Sequence, residues 1–537
     1  MKIKDINHSY SLIQTDNLDF QLKLMNLLSV YVPGYQFTPQ YKSGVWDGKY
    51  HFYKVTPHGL VIPKGLVDVV INKFGHTLEE PYTPIFVPEQ ITEQELDKFI
   101  KTLNLPFEPR DYQKKAILTM INNPRGIILA ATNSGKSLVI YMFLMFMYKQ
   151  SKKSVLIVPN VSLVEQMYSD FKDYKFEKIA NKDDIHIIYA GKEKHFEKPI
   201  TITTWQSVYK NKELFEGVDC IVVDEAHLVK GESLQNIIQA SINAKYKWGL
   251  TGTLPDDPVL RFMAIGALGK PYTIVTPKQL IEMGYATPVF VNAIFIEYND
   301  EIAKEFRKEC KTYQQEVKWI ENNIKRNKVI IKLALKLIKK NENVLMLYNK
   351  IAHGELLLKL IMKEKLNLDI DDELLDEMIV YKQKPNKKLI QENKIQLVQE
   401  GETDIDNRIY NINDYNVFFV RGDVDASKRE DIRNILENKR GAILIATYKT
   451  LSTGVNIKNL HHLFFTSSTK SFVTVNQSIG RGMRQHKSKE KVYIWDFIDD
   501  LRGNRKTKNY MLKHFDERVN YYLKNGYEVN DISVKLS

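Results

Sequence analysis

Cysteine is nearly missing from this chain: Cys220 and Cys310 are the only two among 537 residues. Two thiols exclude a disulfide framework and any four-cysteine zinc or iron–sulfur centre, and they suit a reducing compartment. Long apolar runs are also missing. The longest, Leu138 to Tyr148, is too short to span a bilayer, and its place just after a Gly-Lys-Ser turn predicts a buried helix. The opening MKIKDINHSYSLIQ lacks the apolar core of a signal peptide. The expectation is a soluble, cytoplasmic protein with no membrane contact. No solenoid-type repeat and no low-complexity tract is present.

What is present is ordinary for a globular protein: 43% apolar and 26% charged residues. The length exceeds what one hydrophobic core supports, so several domains are expected. The formal net charge is +12, with a pI near 9.1. A basic surplus favours a polyanionic partner without identifying one.

Two stretches alternate short β-branched strands with helices, the pattern of parallel α/β layers. The first covers 98–265, with strands at 126–130, 154–159, 200–204, 220–225 and 248–253. The second covers 301–503, with strands at 343–348, 416–420, 442–447, 463–468 and 492–497. The predicted fold class is therefore α/β, with two tandem parallel-sheet lobes of RecA-like type. A small aromatic-rich α+β domain (1–97) precedes them, a linker (266–300) joins them, and a helical tail (504–537) follows. Residues 366–413 interrupt the second lobe and carry 11 acidic against 6 basic residues. Leu374, Leu375, Met378 and Ile379 recur there at helical spacing. In the tail, Tyr510, Met511, His514, Phe515, Arg518, Val519 and Tyr522 predict one amphipathic helix.

The first strand runs into AATNSGKS, a phosphate loop with Ala130 at the usual first glycine. Backbone amides of Thr132, Asn133, Ser134 and Gly135 would face a triphosphate at the start of the next helix. Lys136 would reach the β- and γ-oxygens, and the Ser137 hydroxyl would hold magnesium. A plain strand-to-helix turn gives no reason for Gly, Lys and Ser together. Downstream, the strand CIVV ends in Asp224, Glu225, Ala226 and His227. Carboxylates at the C-terminal end of a parallel strand lie where α/β sheets bind ligands. Asp224 would hold magnesium, and Glu225 would orient and deprotonate the attacking water. An isolated Asp-Glu turn is commonly just solvated, but here a phosphate loop precedes it. His227 could bridge or merely pack. Thr251 and Thr253 close the next strand, where hydroxyls could couple the carboxylates to the second lobe.

In the second lobe the run Gln477-Ser-Ile-Gly480-Arg481-Gly-Met-Arg484 places two arginines one helical turn apart. A site at a lobe interface needs such positive charge in the transition state. Before it, Ser452-Thr453-Gly454-Val455-Asn456 offers hydroxyls and a flexible turn.

In order, RDYQ, AATNSGKS, VLIVPNVSLVEQ, TTWQS, DEAH, TGT, ATYKTLSTGVNI and QSIGRGMR resemble the full motif series of superfamily 2 helicases over about 107–500. That resemblance implies an ATP- and Mg2+-dependent nucleic-acid motor. It implies that Gln113 contacts adenine and that Arg481 and Arg484 act as arginine fingers. It also implies a strand track of Pro159, Thr204, Trp205, Gln206, Arg421 and Thr447, which would explain the basic charge. A narrower resemblance rests on GYQFTPQYKSGVWDGKYHFY, VRGDVDASKRE, STGVNIKNLHHL and YIWDFIDD. With these the chain is similar to the UvsW recombination helicases of tailed phages, which remodel branched DNA and RNA–DNA hybrids. The acidic stretch 366–413 departs from that pattern.

The N-terminal unit interleaves Tyr35, Phe37, Tyr41, Trp46, Tyr50, Phe52 and Tyr53 with Lys42, Lys49 and Lys54. Such rings and charges can stack on bases and hold phosphates, although a domain this small also needs rings for its core. DNA is the expected partner, with RNA open. Two rivals remain: a restriction-type motor subunit, and an ATP-gated clamp or annealing protein without productive unwinding.

Overall fold

The computed structural model describes residues 1–189, 195–229, 232–366, 396–397, 410–412, 416–420, 436–448, 457–467, 469 and 472–536. The chain divides into two compact units, Met1–Thr276 and Pro277–Ser537.

The first unit holds a small α+β domain and one parallel lobe. Strands Lys2–Asp5, Tyr10–Gln14, Gly59–Pro63 and Lys54–Thr56 form an antiparallel sheet in that spatial order. A ribbon of Ser29–Tyr31 and Lys49–His51 stands beside it. Its core does not close on itself: Ile13, Leu24, Leu60 and Val70 share one cluster with Val259 and Met263 of the lobe. Polar contacts reinforce the seam. Lys247 Nζ donates to Ser9 Oγ at 2.5 Å and Arg125 donates to the His8 carbonyl, while within the small domain Lys64 pairs with Asp5 at 2.6 Å.

The lobe is a seven-stranded parallel sheet ordered Pro271–Val275, Arg125–Ala130, Tyr246–Thr251, Cys220–Asp224, Ser154–Val158, Ile200–Thr204, Ile185–Ile188. Burial on both faces explains why these strands read as continuous apolar runs. Helix Lys136–Lys149 is buried nearly all round, from Leu138 to Met147, as its uninterrupted apolar sequence requires.

Among the described residues the second unit carries a nine-stranded sheet. Seven strands are parallel: Val417–Val420, Ile443–Thr447, Val344–Tyr348, His462–Phe465, Val492–Asp500, Val289–Tyr298 and Glu528–Leu536. The short antiparallel strands Gln396–Leu397 and Tyr410–Ile412 extend one edge.

Two expectations need correction. The stretch 266–300 is not a plain linker: it supplies the edge strand Pro271–Val275 to the first sheet and the long strand Val289–Tyr298 to the second. Nor is the tail only a helix. After helix Tyr510–Lys524 the chain adds the strand Glu528–Leu536 beside Val289–Tyr298. Tyr510, placed on the apolar stripe by its spacing, is 40% exposed. Arg518 is buried as its spacing predicts, and its guanidinium meets Asp496 at 2.8 and 2.9 Å. Tyr522 donates to the same carboxylate at 2.9 Å. The acidic start of 366–413 lies outside the described residues. No helix among the described residues is long and apolar enough to cross a membrane.

Candidate active site

The phosphate loop follows its strand as the spacing requires. Asn133 (φ 71) and Gly135 (φ 79) take left-handed backbone, turning successive amides toward one concavity. Glycine is needed at 135 for a second reason: a Cβ there would lie 2.4 Å from Gln113 Nε2. That amide is engaged by the loop and by its own segment. Gln113 donates to the Ser134 carbonyl at 2.9 Å and accepts from the Arg110 amide at 2.9 Å. Tyr112 donates to the same Ser134 carbonyl at 3.0 Å, and Arg110 donates to the Tyr112 hydroxyl at 2.7 Å. The RDYQ segment thus braces the phosphate loop from behind. Only Gln113 was singled out from the sequence; Tyr112 beside it carries part of the same brace.

Lys136 and Ser137 open the following helix. Lys136 Nζ reaches back to the Ala130 carbonyl at 3.4 Å. The Ser137 hydroxyl lies 2.9 Å from the phenol of Tyr174, a residue at the C-terminal end of helix Val161–Asp173. Nothing in the sequence marked Tyr174, which stands 37 positions downstream.

The strand order brings the remaining groups together. Tyr246–Thr251 lies between the phosphate-loop strand and Cys220–Asp224, so three C-terminal strand ends converge. Shielding from water pushes the Asp224 carboxyl up to about 7, with the Glu225 charge adding to the rise and Lys136 opposing it. A carboxyl that resists ionisation until a cation arrives fits a divalent metal beside a phosphate-loop lysine. Glu225 sits at φ 53, a strained conformation for a residue with a Cβ and one that recurs at functional sites. Its Oε2 lies 3.2 Å from Nδ1 of His227. The same nitrogen is 2.9 Å from Thr251 Oγ1, and Thr251 Oγ1 donates to the Thr253 carbonyl at 3.0 Å. His227 is buried and joins the carboxylate to the TGT turn, a role that spacing alone left open.

Of the expected strand track, the first-unit members adjoin. Thr204 pairs in register with Val158, which sets Pro159 beside Trp205 at neighbouring strand ends. Gln206 Nε2 donates to the Pro159 carbonyl at 3.3 Å, and Thr204 Oγ1 lies 2.9 Å from Ser207 Oγ. In the second unit Thr447 ends its strand opposite Tyr348. Arg421 and Gly454 lie outside the described residues.

Gln477 and Arg481 lie on helix Phe472–Gly482. Arg484 falls beyond the helix end, on a turn in which its amide donates to the Arg481 carbonyl at 3.4 Å. The turn is pinned. Thr287 Oγ1 donates to the Arg484 carbonyl at 3.2 Å, and the buried end of the helix is capped by Lys489, whose Nζ donates to the Gly482 and Leu460 carbonyls at 2.6 and 3.0 Å. Among the described residues no group of three or more metal-ligating side chains appears.

Residues 106–256 match the family described as type III restriction enzyme, res subunit. Residues 369–486 match the helicase conserved C-terminal domain, and residues 1–82 match the N-terminal domain of DNA helicase UvsW. The ATP-dependent DNA helicase uvsW of Enterobacteria phage T4 is 31% identical over 97% of this chain and 97% of its own length. The crystal structure of T4 UvsW aligns over 100% of this chain and 99% of that one, at 27% identity and a TM-score of 0.45. Mss116p bound to single-stranded RNA and AMP-PNP aligns over 84% of this chain and 82% of that one, at 15% identity and a TM-score of 0.51.

Proposed function

The chain belongs to the UvsW family of superfamily 2 helicases, and from that premise we propose that it spends ATP to move along one DNA strand and to remodel branched DNA or RNA–DNA hybrids. It is an ATP-dependent DNA helicase. The single observation that carries the reading is the convergence of the phosphate loop, Asp224–Glu225 and Thr251 at adjacent strand ends of one parallel sheet.

The roles follow from chemistry. The loop amides from Thr132 to Gly135 bind the phosphates, and Lys136 neutralises the β- and γ-oxygens. Ser137 and Asp224 would hold magnesium, which would offset phosphate charge. Glu225 takes a proton from the attacking water, held in place by His227. Gln113 stiffens the loop and is assigned the adenine. Arg481 and Arg484 supply the positive charge that the transition state needs, with Thr251, Thr253 and Gln477 coupling turnover to movement and Gly454 assigned to the nucleotide. Pro159, Thr204, Trp205, Gln206, Arg421 and Thr447 are assigned to the strand track. The place of action is the cytoplasm.

Substrate choice is assigned to the N-terminal domain. Its rings fall into two sets. Phe52 is core and packs on Phe262 with centroids 5.5 Å apart. A second set lies outside it: Tyr31 stacks on Tyr35 at 4.6 Å, Tyr41 meets Tyr35 edge-on at 4.7 Å, and Lys49 covers Tyr31 at 4.9 Å. Gly48, at φ 79, lets the Tyr35 ring lie against the backbone, where a Cβ would stand 2.3 Å from it. Phe37 at the tip is 75% exposed, a suitable stacking surface for a base.

Strand displacement from a forked duplex, with and without ATP, is the decisive measurement. ATP-dependent displacement is the expected result; binding without displacement would make the protein a clamp. Phe37→Ala tests that stacking surface, and is preferable to removing 1–97, which would strip the shared core around Val259 and Met263. It should weaken fork binding more than single-strand binding.

A further inference from the structure

A pocket of 510 Å³ opens where the N-terminal sheet meets the first lobe. Tyr10, Tyr50, Tyr53 and Lys54 line it on one side, and Gln235 and Gln239 on the other. The two amides stand one turn apart on helix Glu232–Ala240, so they share a face. Gln239 is engaged, since its Oε1 accepts from the Tyr10 hydroxyl at 3.1 Å. Gln235 is different. It is only 8% exposed, and among the described residues its amide has no hydrogen-bond partner.

The Gln235 amide opens into the pocket, where its N–H and carbonyl can meet a ligand that offers both an acceptor and a donor. The edge of a nucleobase does so, and adenine matches a glutamine amide in bidentate fashion. The tyrosine rings offer π-faces on which a base can stack. Lys54 adds a charge for the attached phosphate, and among the described residues no carboxylate lines the pocket to repel it. The volume falls within the range of small-ligand sites, about 300–1,000 Å³, which admits one base and excludes a duplex.

We propose that this pocket captures a single unpaired nucleobase at a DNA branch point, stacked on tyrosine and read by Gln235. The inference rests on the helicase reading and gives it a structural basis for preferring branches, because duplex DNA has no base free to enter. Helix Glu232–Ala240 follows closely on the strand that ends in Asp224. Occupancy of the pocket therefore bears on the element that leads away from the hydrolytic carboxylates.

The test uses the full chain and forks carrying 2-aminopurine, whose N1 and 2-amino group also set an acceptor beside a donor on one edge, at successive junction positions. Wild-type protein should change the fluorescence of the probe at one junction position. Gln235→Leu, which keeps the volume and removes the amide, should abolish that change. It should also lower fork affinity about tenfold relative to plain single strands, the scale of one lost base contact. Thermal melting accompanies each measurement, and Tyr50→Leu, at a ring 37% exposed, replaces Gln235→Leu if that variant unfolds. Silence of the probe at every position with a wild type that displaces strands would overturn the pocket alone. Unchanged fork preference in the folded variant would do the same. A junction signal without ATP-dependent displacement would instead overturn the motor reading and leave the pocket standing.

Discussion

The hydroxyl of Ser137 and the phenol of Tyr174 lie 2.9 Å apart, which ties the proposed magnesium ligand to a second helix. Tyr174 is held in turn by the Tyr141 ring, with centroids 5.2 Å apart, and by Phe107, edge-on at 5.9 Å. With Tyr174 as acceptor, the Ser137 proton points away from the metal position and a lone pair points toward it. Tyr174→Phe should therefore raise the Mg2+ concentration for half-maximal ATPase by about 2- to 10-fold, the worth of one hydrogen bond. The melting temperature should hardly move. A magnesium titration that superimposes on wild type would refute this positioning role.

Lys136→Ala should remove most turnover while the fold is kept. Glu225→Gln should bind ATP yet fail to hydrolyse it, because an amide cannot take a proton from water. His227→Ala tests the link to Thr251. Loss of the group that orients Glu225 should lower kcat by roughly 10-fold, on the scale seen for outer-shell partners at metal sites, with a smaller effect on KM. Steady-state ATPase and nucleotide-binding assays separate the three. Near-normal hydrolysis by folded Glu225→Gln would remove its assigned role.

Arg484→Ala should cut kcat by about 10³-fold, as for other arginine fingers, with little change in DNA affinity. Lys489→Met should produce a weaker version of the same defect, because it uncaps the turn that carries Arg484. A variant that loses DNA affinity but hydrolyses ATP normally would place Arg484 on the strand track instead.

The pair Arg518–Asp496 should matter for stability more than for chemistry. Both side chains are nearly inaccessible, at 5% and 1%, so removing one leaves the other buried and uncompensated. Arg518→Ala should cost about 3–5 kcal/mol in the second unit, measured by thermal or denaturant unfolding. A loss below about 1 kcal/mol, typical of an exposed pair, would show that the site is wetter than its geometry indicates.

Local chemistry was enough to place most of the parallel strands, the loop AATNSGKS at a strand end and the carboxylates after CIVV. Buried parallel strands must be apolar along their whole length, and a phosphate loop needs Gly, Lys and Ser in fixed order. Both constraints act within a few residues and leave a readable trace. Strand Val289–Tyr298 was hidden because it falls in the join between the lobes, outside the strand–helix alternation that marked the rest. Strand Glu528–Leu536 was hidden because an edge strand mixes Asp531 and Lys535 with its apolar residues. Tertiary structure alone decided that His227 Nδ1 meets Thr251, that Tyr174 meets Ser137, and that Gln235 faces Tyr10 and Tyr50 across a seam. Those neighbours are fixed by strand order and by packing between distant segments, and a contact between residues far apart in the chain leaves no period or spacing in the sequence to reveal it.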